Sequence, residues 1–237
     1  MKRQRFLLDR LVARSYIAAC ALVAGCVPKL APLVTTLLAP GERAQALAWA
    51  THTVPRHDTA IRFRFQYRDS RRQWAGRGTA RIAPPDSLRF DYVGPLGLGA
   101  GAAVVVGDSA IWADPEENFR ALVPAVRMLW AGLGVVRPPG TSAVVSSNQG
   151  ATGTTWRFIE GPDTLDYVAV DGSPRTLEAE WRREGKVVAR SHTELDAAAQ
   201  PKQARILFPE APARFELTVV GVDTTAAIAP AVWRSRR

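Results

Sequence analysis

Between residues 59 and 68 the chain reads Thr-Ala-Ile-Arg-Phe-Arg-Phe-Gln-Tyr-Arg, so that Ile61, Phe63, Phe65 and Tyr67 alternate with Arg62, Arg64, Gln66 and Arg68. A strict period of two puts successive side chains on opposite faces of a strand, whereas on a helix the same order would scatter apolar groups all round. The segment therefore predicts a strand with one buried face and one wet face. Similar patterning recurs at 73–82, at 87–92 with Leu88, Phe90 and Tyr92 on one face, and at 102–106 and 109–113. It returns at 154–160, 164–170, 175–182, 186–195, 203–208 and 214–220. Pro84-Pro85-Asp86, Gly161-Pro162-Asp163, Asp171-Gly172-Ser173-Pro174 and Glu184-Gly185-Lys186 separate these runs at hairpin spacing. The pattern is that of about eleven strands in an antiparallel sheet.

One main helix is expected over 115–133. Asp114 caps it, Pro115 opens the first turn and Glu117 follows three residues after the cap. Phe119, Leu122, Val123, Val126, Leu129, Trp130 and Leu133 then form a broad apolar stripe. Pro124 should kink or split it, and Gly132, Gly134 and Pro138-Pro139 end it. Residues 42–49 favour a short helix, and 140–153 read as a polar connection. Neither half of the chain has enough helix to cover its own sheet, so one domain over 42–230 is expected, a sheet curling around a helix. The 7 Trp, 8 Phe and 4 Tyr can fill its core, and 47% hydrophobic with 22% charged residues excludes collagen, disorder and a multispan membrane protein.

The N-terminus has a separate character. Lys2, Arg3, Arg5, Arg10 and Arg14 precede a run from Ser15 to Pro28 without charge, 14 residues long. This is the order of a secretory signal, and it is shorter than the ~20 residues a spanning helix needs. The run ends in Val23-Ala24-Gly25-Cys26, which resembles the lipobox of bacterial lipoproteins. That resemblance implies a signal peptide at 1–25, diacylglycerol on the Cys26 thiol and an acyl chain on its new amine. The competing reading makes residues 15–41 one uncleaved anchor; Pro28, Lys29, Pro32 and Pro40 speak against it. Residues 26–41 would be the lipidated cysteine and a proline-punctuated tether. Cleavage would remove four of the nine net positive charges, so much of the basic excess belongs to export.

Little in the chain points to catalysis. His52, His57 and Asp58 sit in a linker without metal-ligand spacing and read as solvated residues; His192 stands apart. There is no Gly-x-Ser-x-Gly elbow, and Gly97-Leu98-Gly99-Ala100-Gly101 lacks the Lys-Ser/Thr of a nucleotide loop. We expect no enzyme, no metal, and no cofactor beyond the lipid on Cys26. Arg62, Arg64, Arg68, Arg71, Arg72, Arg77 and Arg81 form a basic run. It is either the wet face of the sheet or a contact for anionic head groups or an acidic protein; export makes nucleic acid a poor partner. Leu96 and Leu98 stand among glycines and Pro95. Two readings stand for them: a tip that inserts into lipid, or a turn whose leucines fold back on the core.

Several segments are similar to the LolA/LolB superfamily of lipoprotein carriers and receptors. Gly76-x-Gly78, Pro85 to Tyr92 (PDSLRFDY) and Val104 to Trp112 (VVVGDSAIW) resemble the early strands of LolA. The Gly94-Pro95-Leu96-Gly97 turn and the lipidated cysteine are more like LolB, whose protruding loop carries an exposed leucine matched here by Leu96. The resemblance implies a mainly β fold with a helical lid, a curved antiparallel sheet forming a half-open barrel around a hydrophobic cavity for acyl chains. Cavity or core candidates are Phe63, Phe65, Phe90, Trp112, Leu122, Val126 and Trp181. The expected role is a monomeric lipoprotein that binds acyl chains or lipoproteins and delivers them to the outer membrane. Val27 after the cysteine, rather than Asp, fits that address under the family's sorting rule. Its partners would be membrane phospholipid, lipoprotein acyl chains or a periplasmic carrier. The alternative is an envelope assembly lipoprotein whose sheet binds a protein and encloses no cavity.

Overall fold

The structure is a computed structural model that describes Leu33 and residues 37–97, 99–117, 119 and 125–234. Residues 1–25, expected to be a signal peptide, and Cys26, and also Leu98 and Leu122, lie outside the described residues. Residues 33–237 form one compact unit. Its strands are β1 Ala39–Pro40, β2 Thr59–Arg68, β3 Gln73–Ala83, β4 Ser87–Val93, β5 Ala100–Val106, β6 Ser109–Asp114 and β7 Val144–Gly150. They continue with β8 Gly153–Glu160, β9 Asp163–Val170, β10 Arg175–Arg183, β11 Lys186–Leu195, β12 Pro201–Phe208 and β13 Ala213–Asp223. Two helices are described, α1 Arg43–Thr53 and α2 Val126–Gly132.

All 13 strands join one antiparallel sheet in the order β1-β7-β8-β9-β10-β11-β12-β13-β2-β3-β4-β5-β6. The sheet is curved and does not close, so β1 and β6 are its free edges. Most neighbours are also consecutive in sequence; two joins are long-range, β1 to β7 and β13 to β2, and the second brings Phe215 beside Tyr67 and Leu217 beside Phe65. The alternation in β2 is realised as written, with Ile61, Phe63, Phe65 and Tyr67 buried and Arg62, Arg64, Gln66 and Arg68 exposed.

Opposite Phe63 and Phe65 stand Gly78 and Gly76 of β3. A Cβ at Gly78 would lie 2.4 Å from the Phe63 ring, and one at Gly76 2.2 Å from the Val93 carbonyl oxygen. The glycines give the rings room to lie across the neighbouring strand and meet β4, where Phe63 and Phe90 centroids are 5.2 Å apart.

Of the helix expected over 115–133, residues 118 and 120–124 lie outside the described residues, and Ala125 has extended backbone. Glu116, Glu117 and Phe119 are helical, and regular helix runs over Val126–Gly132. Met128 to Gly132 are all buried, packed on the concave side against β10, β11 and β12. The Thr193 hydroxyl of β11 donates to the Ala131 carbonyl at 2.8 Å, and the Trp130 indole N–H to the Gly107 carbonyl at 2.8 Å.

The 140–153 connection contains β7. Its Ser146, Ser147, Asn148 and Gln149 have no apolar alternation, yet they pair with β8 along the full strand, and β1 pairs with Ser146 and Ser147.

The convex face is laced with ion pairs. Asp166 and Glu180, cross-strand neighbours, are fully buried on that face. Arg157 reaches Asp166 at 2.6 Å, Arg182 reaches both carboxylates, and Arg190 reaches Glu180. Of the basic run, Arg81 pairs with Asp91 at 2.5 Å. Arg62, Arg64, Arg68 and Arg77 are exposed and have no ion pair among the described residues. Arg64 even stands directly opposite Arg77.

Candidate functional site

The concave interior is filled rather than hollow. Phe63, Phe65 and Phe90 are buried in it; Phe65 stacks on Phe215 at 5.8 Å and Phe90 meets Phe119 at 6.3 Å. Val126 is half-buried at the start of α2 and packs on the same core. Trp181 lies half-buried at the rim, its indole N–H donating to Asp163 at 3.0 Å between the guanidinium groups of Arg127 and Arg183. Arg183 holds the Asp163 carboxyl below the usual carboxylate range.

Trp112 lies on the other side of the sheet. A bulge between Val104 and Val105 shifts the β5–β6 register and sets Trp112 opposite Val104 on the convex face. There it covers the Arg89 guanidinium at 5.3 Å and donates to the Trp233 carbonyl at 3.1 Å. Of the seven candidates, the structure thus gathers Phe63, Phe65 and Phe90 into a core, with Val126 against it. Trp181 sits at the rim, and Trp112 outside.

Open space lies at one end of the sheet. A cavity of about 610 Å3 is framed by the last turn of α1, the start of β2 and β10, the ends of β9, β11 and β13, and the segment after α2. Trp49, Val54, Ile61, Leu133, Val135 and Leu177 give it apolar walls, closed further by Leu195, Pro201 and Val222. Its volume falls in the range of roughly 300–1,000 Å3 usual for small-ligand pockets.

Local chemistry sets these walls. Ala46 and Ala50 let α1 approach closely, being fully buried with nothing beyond a methyl. The Arg43 guanidinium ties the helix start to the carbonyls of Gly140 and, at 2.6 Å, Ala143. At the other end the Thr53 hydroxyl accepts the Val136 N–H at 2.8 Å, joining α1 to the segment after α2. Trp49 packs on Trp156 and Tyr167, both at 6.1 Å. Tyr167 is buried, which pushes its phenol pKa up and keeps it neutral, and its oxygen accepts the Arg137 N–H at 3.1 Å. The 196–200 turn is held by the Asp196 carboxylate, which accepts the N–H groups of Ala198 at 2.8 Å and Gln200 at 2.9 Å.

Sequence reasoning missed this lining. His52 and His57, read as solvated linker residues, stand at the cavity mouth with Arg56 and Arg175. The available signal was positional: Ile61, Leu177, Leu195 and Val222 are strand-end residues, and the meander brings those ends to one side. A second depression, of about 580 Å3, lies on the convex face around Arg64, His192, Arg205 and Glu216. Its walls include sheet ion pairs, such as Arg205–Glu216 at 2.7 Å. Among the described residues no three His, Cys, Asp or Glu side chains gather as metal ligands, and no helix is long and apolar enough to cross a membrane.

Leu96 projects from the β4–β5 turn. It is 98% exposed, in left-handed backbone at φ 56°, and the turn is closed by the Gly94 N–H donating to the Gly99 carbonyl at 2.8 Å. This turn follows the end of β4, and the cavity is framed by the start of β2. Counting along the meander, the two lie at opposite ends of the strands.

The class that these features define is an unclosed antiparallel β trough, with helix packed in its concavity and an apolar cavity at one end. Two solved structures share that fold. A LolA superfamily protein from Nitrosomonas europaea matches with TM-score 0.54 and 8% identity, over 82% of this chain and 98% of its own. An outer membrane lipoprotein-sorting protein domain from Vibrio parahaemolyticus matches with TM-score 0.51 and 8% identity, over 81% of this chain and 94% of its own. No protein-family model matches the chain, and no curated protein matches its sequence. The chain therefore has the LolA-like fold that its segments resemble.

Proposed function

We propose that the protein is a lipid-anchored envelope protein that takes acyl chains, free or as part of lipoproteins, into the end cavity and delivers them to the outer membrane. The observation that carries this reading is the 610 Å3 apolar cavity in a LolA-like trough. Each methylene moved from water into such a space gains about 0.8 kcal/mol, so binding needs no covalent chemistry. Cys26 would carry the anchor and Leu96 would touch the bilayer. Because tip and cavity sit at opposite strand ends, the tip serves docking and the cavity serves binding.

The competing role, a protein-binding module without a lipid cavity, draws support from the filled interior and from Arg62, Arg64, Arg68 and Arg77, exposed and without an ion pair among the described residues. Native mass spectrometry of the purified chain separates the two. Acyl adducts are expected in the wild type and should be lost when Val222→Trp fills the cavity. A wild type without adducts would leave the protein-binding role. Metabolic labelling with palmitate should disappear in Cys26→Ala, and persistent label would remove the anchor.

A further inference from the structure

We propose that the ligand of the end cavity carries an anionic head group, a carboxylate or phosphate terminating an acyl chain, held where Arg56 and Arg175 stand at the mouth of apolar walls. This rests on the acyl-binding reading above and narrows its ligand class.

The asymmetry of the lining carries the inference. Four basic side chains, Arg56, Arg175, His52 and His57, line the cavity, and no Asp or Glu does. Arg56 has no ion pair among the described residues. Among the described residues Arg175 pairs only with Asp171, at 3.6 Å and with that carboxylate 74% exposed. The acids close in sequence are otherwise engaged or turned elsewhere. Asp196 is committed to the backbone of its turn, Asp223 accepts from Thr225 at 3.0 Å, and Asp58 is not part of the lining.

Neutral polar groups are largely used up as well. The Thr59 hydroxyl donates to the His57 carbonyl at 2.9 Å, the Thr53 hydroxyl to the Ala50 carbonyl at 2.7 Å, and His52 Nδ1 meets the Ala48 carbonyl at 2.6 Å. What the mouth offers a ligand is therefore mainly guanidinium N–H. Guanidinium groups bind carboxylate and phosphate through paired, charge-assisted hydrogen bonds, and their attraction grows beside low-dielectric walls. An ester or a zwitterionic head group would leave that positive field unmatched.

The test uses the purified full chain in nonionic detergent, photolysed with a diazirine-bearing palmitic acid or with its methyl ester, and adducts located by peptide mass spectrometry. The acid should label residues 49–61 and 195–201 about tenfold more than the ester. The Arg56→Gln, Arg175→Gln double variant should cut acid labelling by about tenfold and leave ester labelling unchanged. Competition separates the sources: displacement by unlabelled palmitate alone assigns a carboxylate, displacement by dipalmitoyl phosphatidate a phosphate, and either supports the proposal. Equal labelling by acid and ester, unchanged in the double variant, overturns the head-group inference and leaves the acyl cavity standing. Adducts of neither compound in those segments overturn both.

Discussion

Leu96 offers a quantitative test of the membrane-facing role. Its side chain is 98% exposed, so it contributes no packing to the fold. Leu96→Glu should therefore change folding stability by no more than about 0.5 kcal/mol. Leu96→Gly should raise it. At φ 56° a leucine bears a left-handed penalty of roughly 1–2 kcal/mol, against a glycine entropy cost of about 0.5–1 kcal/mol, leaving a net gain near 0.5–1 kcal/mol. At a bilayer the two variants should fail together. Sinking a fully exposed leucine into hydrocarbon is worth about 1.5–3 kcal/mol, so its loss weakens association by roughly 10- to 150-fold. The assay is flotation of residues 33–237, which lack Cys26 and form one compact unit, with vesicles of phosphatidylethanolamine and phosphatidylglycerol. Urea unfolding supplies the stabilities. Flotation equal to wild type in both variants would refute insertion. A Leu96→Glu protein destabilised by 2 kcal/mol or more would show instead that the leucine lies against the core.

Two further outcomes follow from the fold. Gly78→Val should destabilise the protein by about 1–3 kcal/mol or more, because its Cβ would enter the Phe63 ring at 2.4 Å and approach the Asp91 carbonyl oxygen at 2.9 Å; unchanged urea midpoints would contradict that packing. His192 is hydrogen-bonded to Glu178, which raises its pKa above the ordinary histidine value against the opposing effect of burial; Glu194 adds to the rise and Arg205 reduces it. The stabilisation is fully present below about pH 6.5, the unfolded pKa, and fades as pH climbs through the raised folded value. His192→Gln should erase that part of the pH dependence of unfolding, and an unaltered profile would show that the pair contributes nothing.

Much of the sheet was legible because buried and wet faces leave a period of two. Phe63, Phe65 and Phe90 announced their burial by alternating with arginine or aspartate, and the hairpin turns declared themselves through Gly, Pro and Asp. β7 was not legible: Ser146 to Gln149 form a strand because β8 and β1 are there to pair with them, and local patterning carries no trace of that. Trp112 was misleading for a different reason. One extra residue in β6 inverts the face of everything beyond it, and Ile111-Trp112-Ala113 reads equally well in either phase.

The candidate site shows the same division. His52 and His57 looked like linker because their role depends on the start of β10 and the ends of β11 and β13, more than a hundred residues away. By itself the sequence determined that the chain would make an antiparallel sheet with an aromatic inner face, and it set Leu96 and Leu98 on a glycine-rich turn. Tertiary structure alone decided which inward side chains fill the trough and which border open space. Periodicity reports the face a residue occupies, whereas a cavity depends on depth along the strand and on what packs above it.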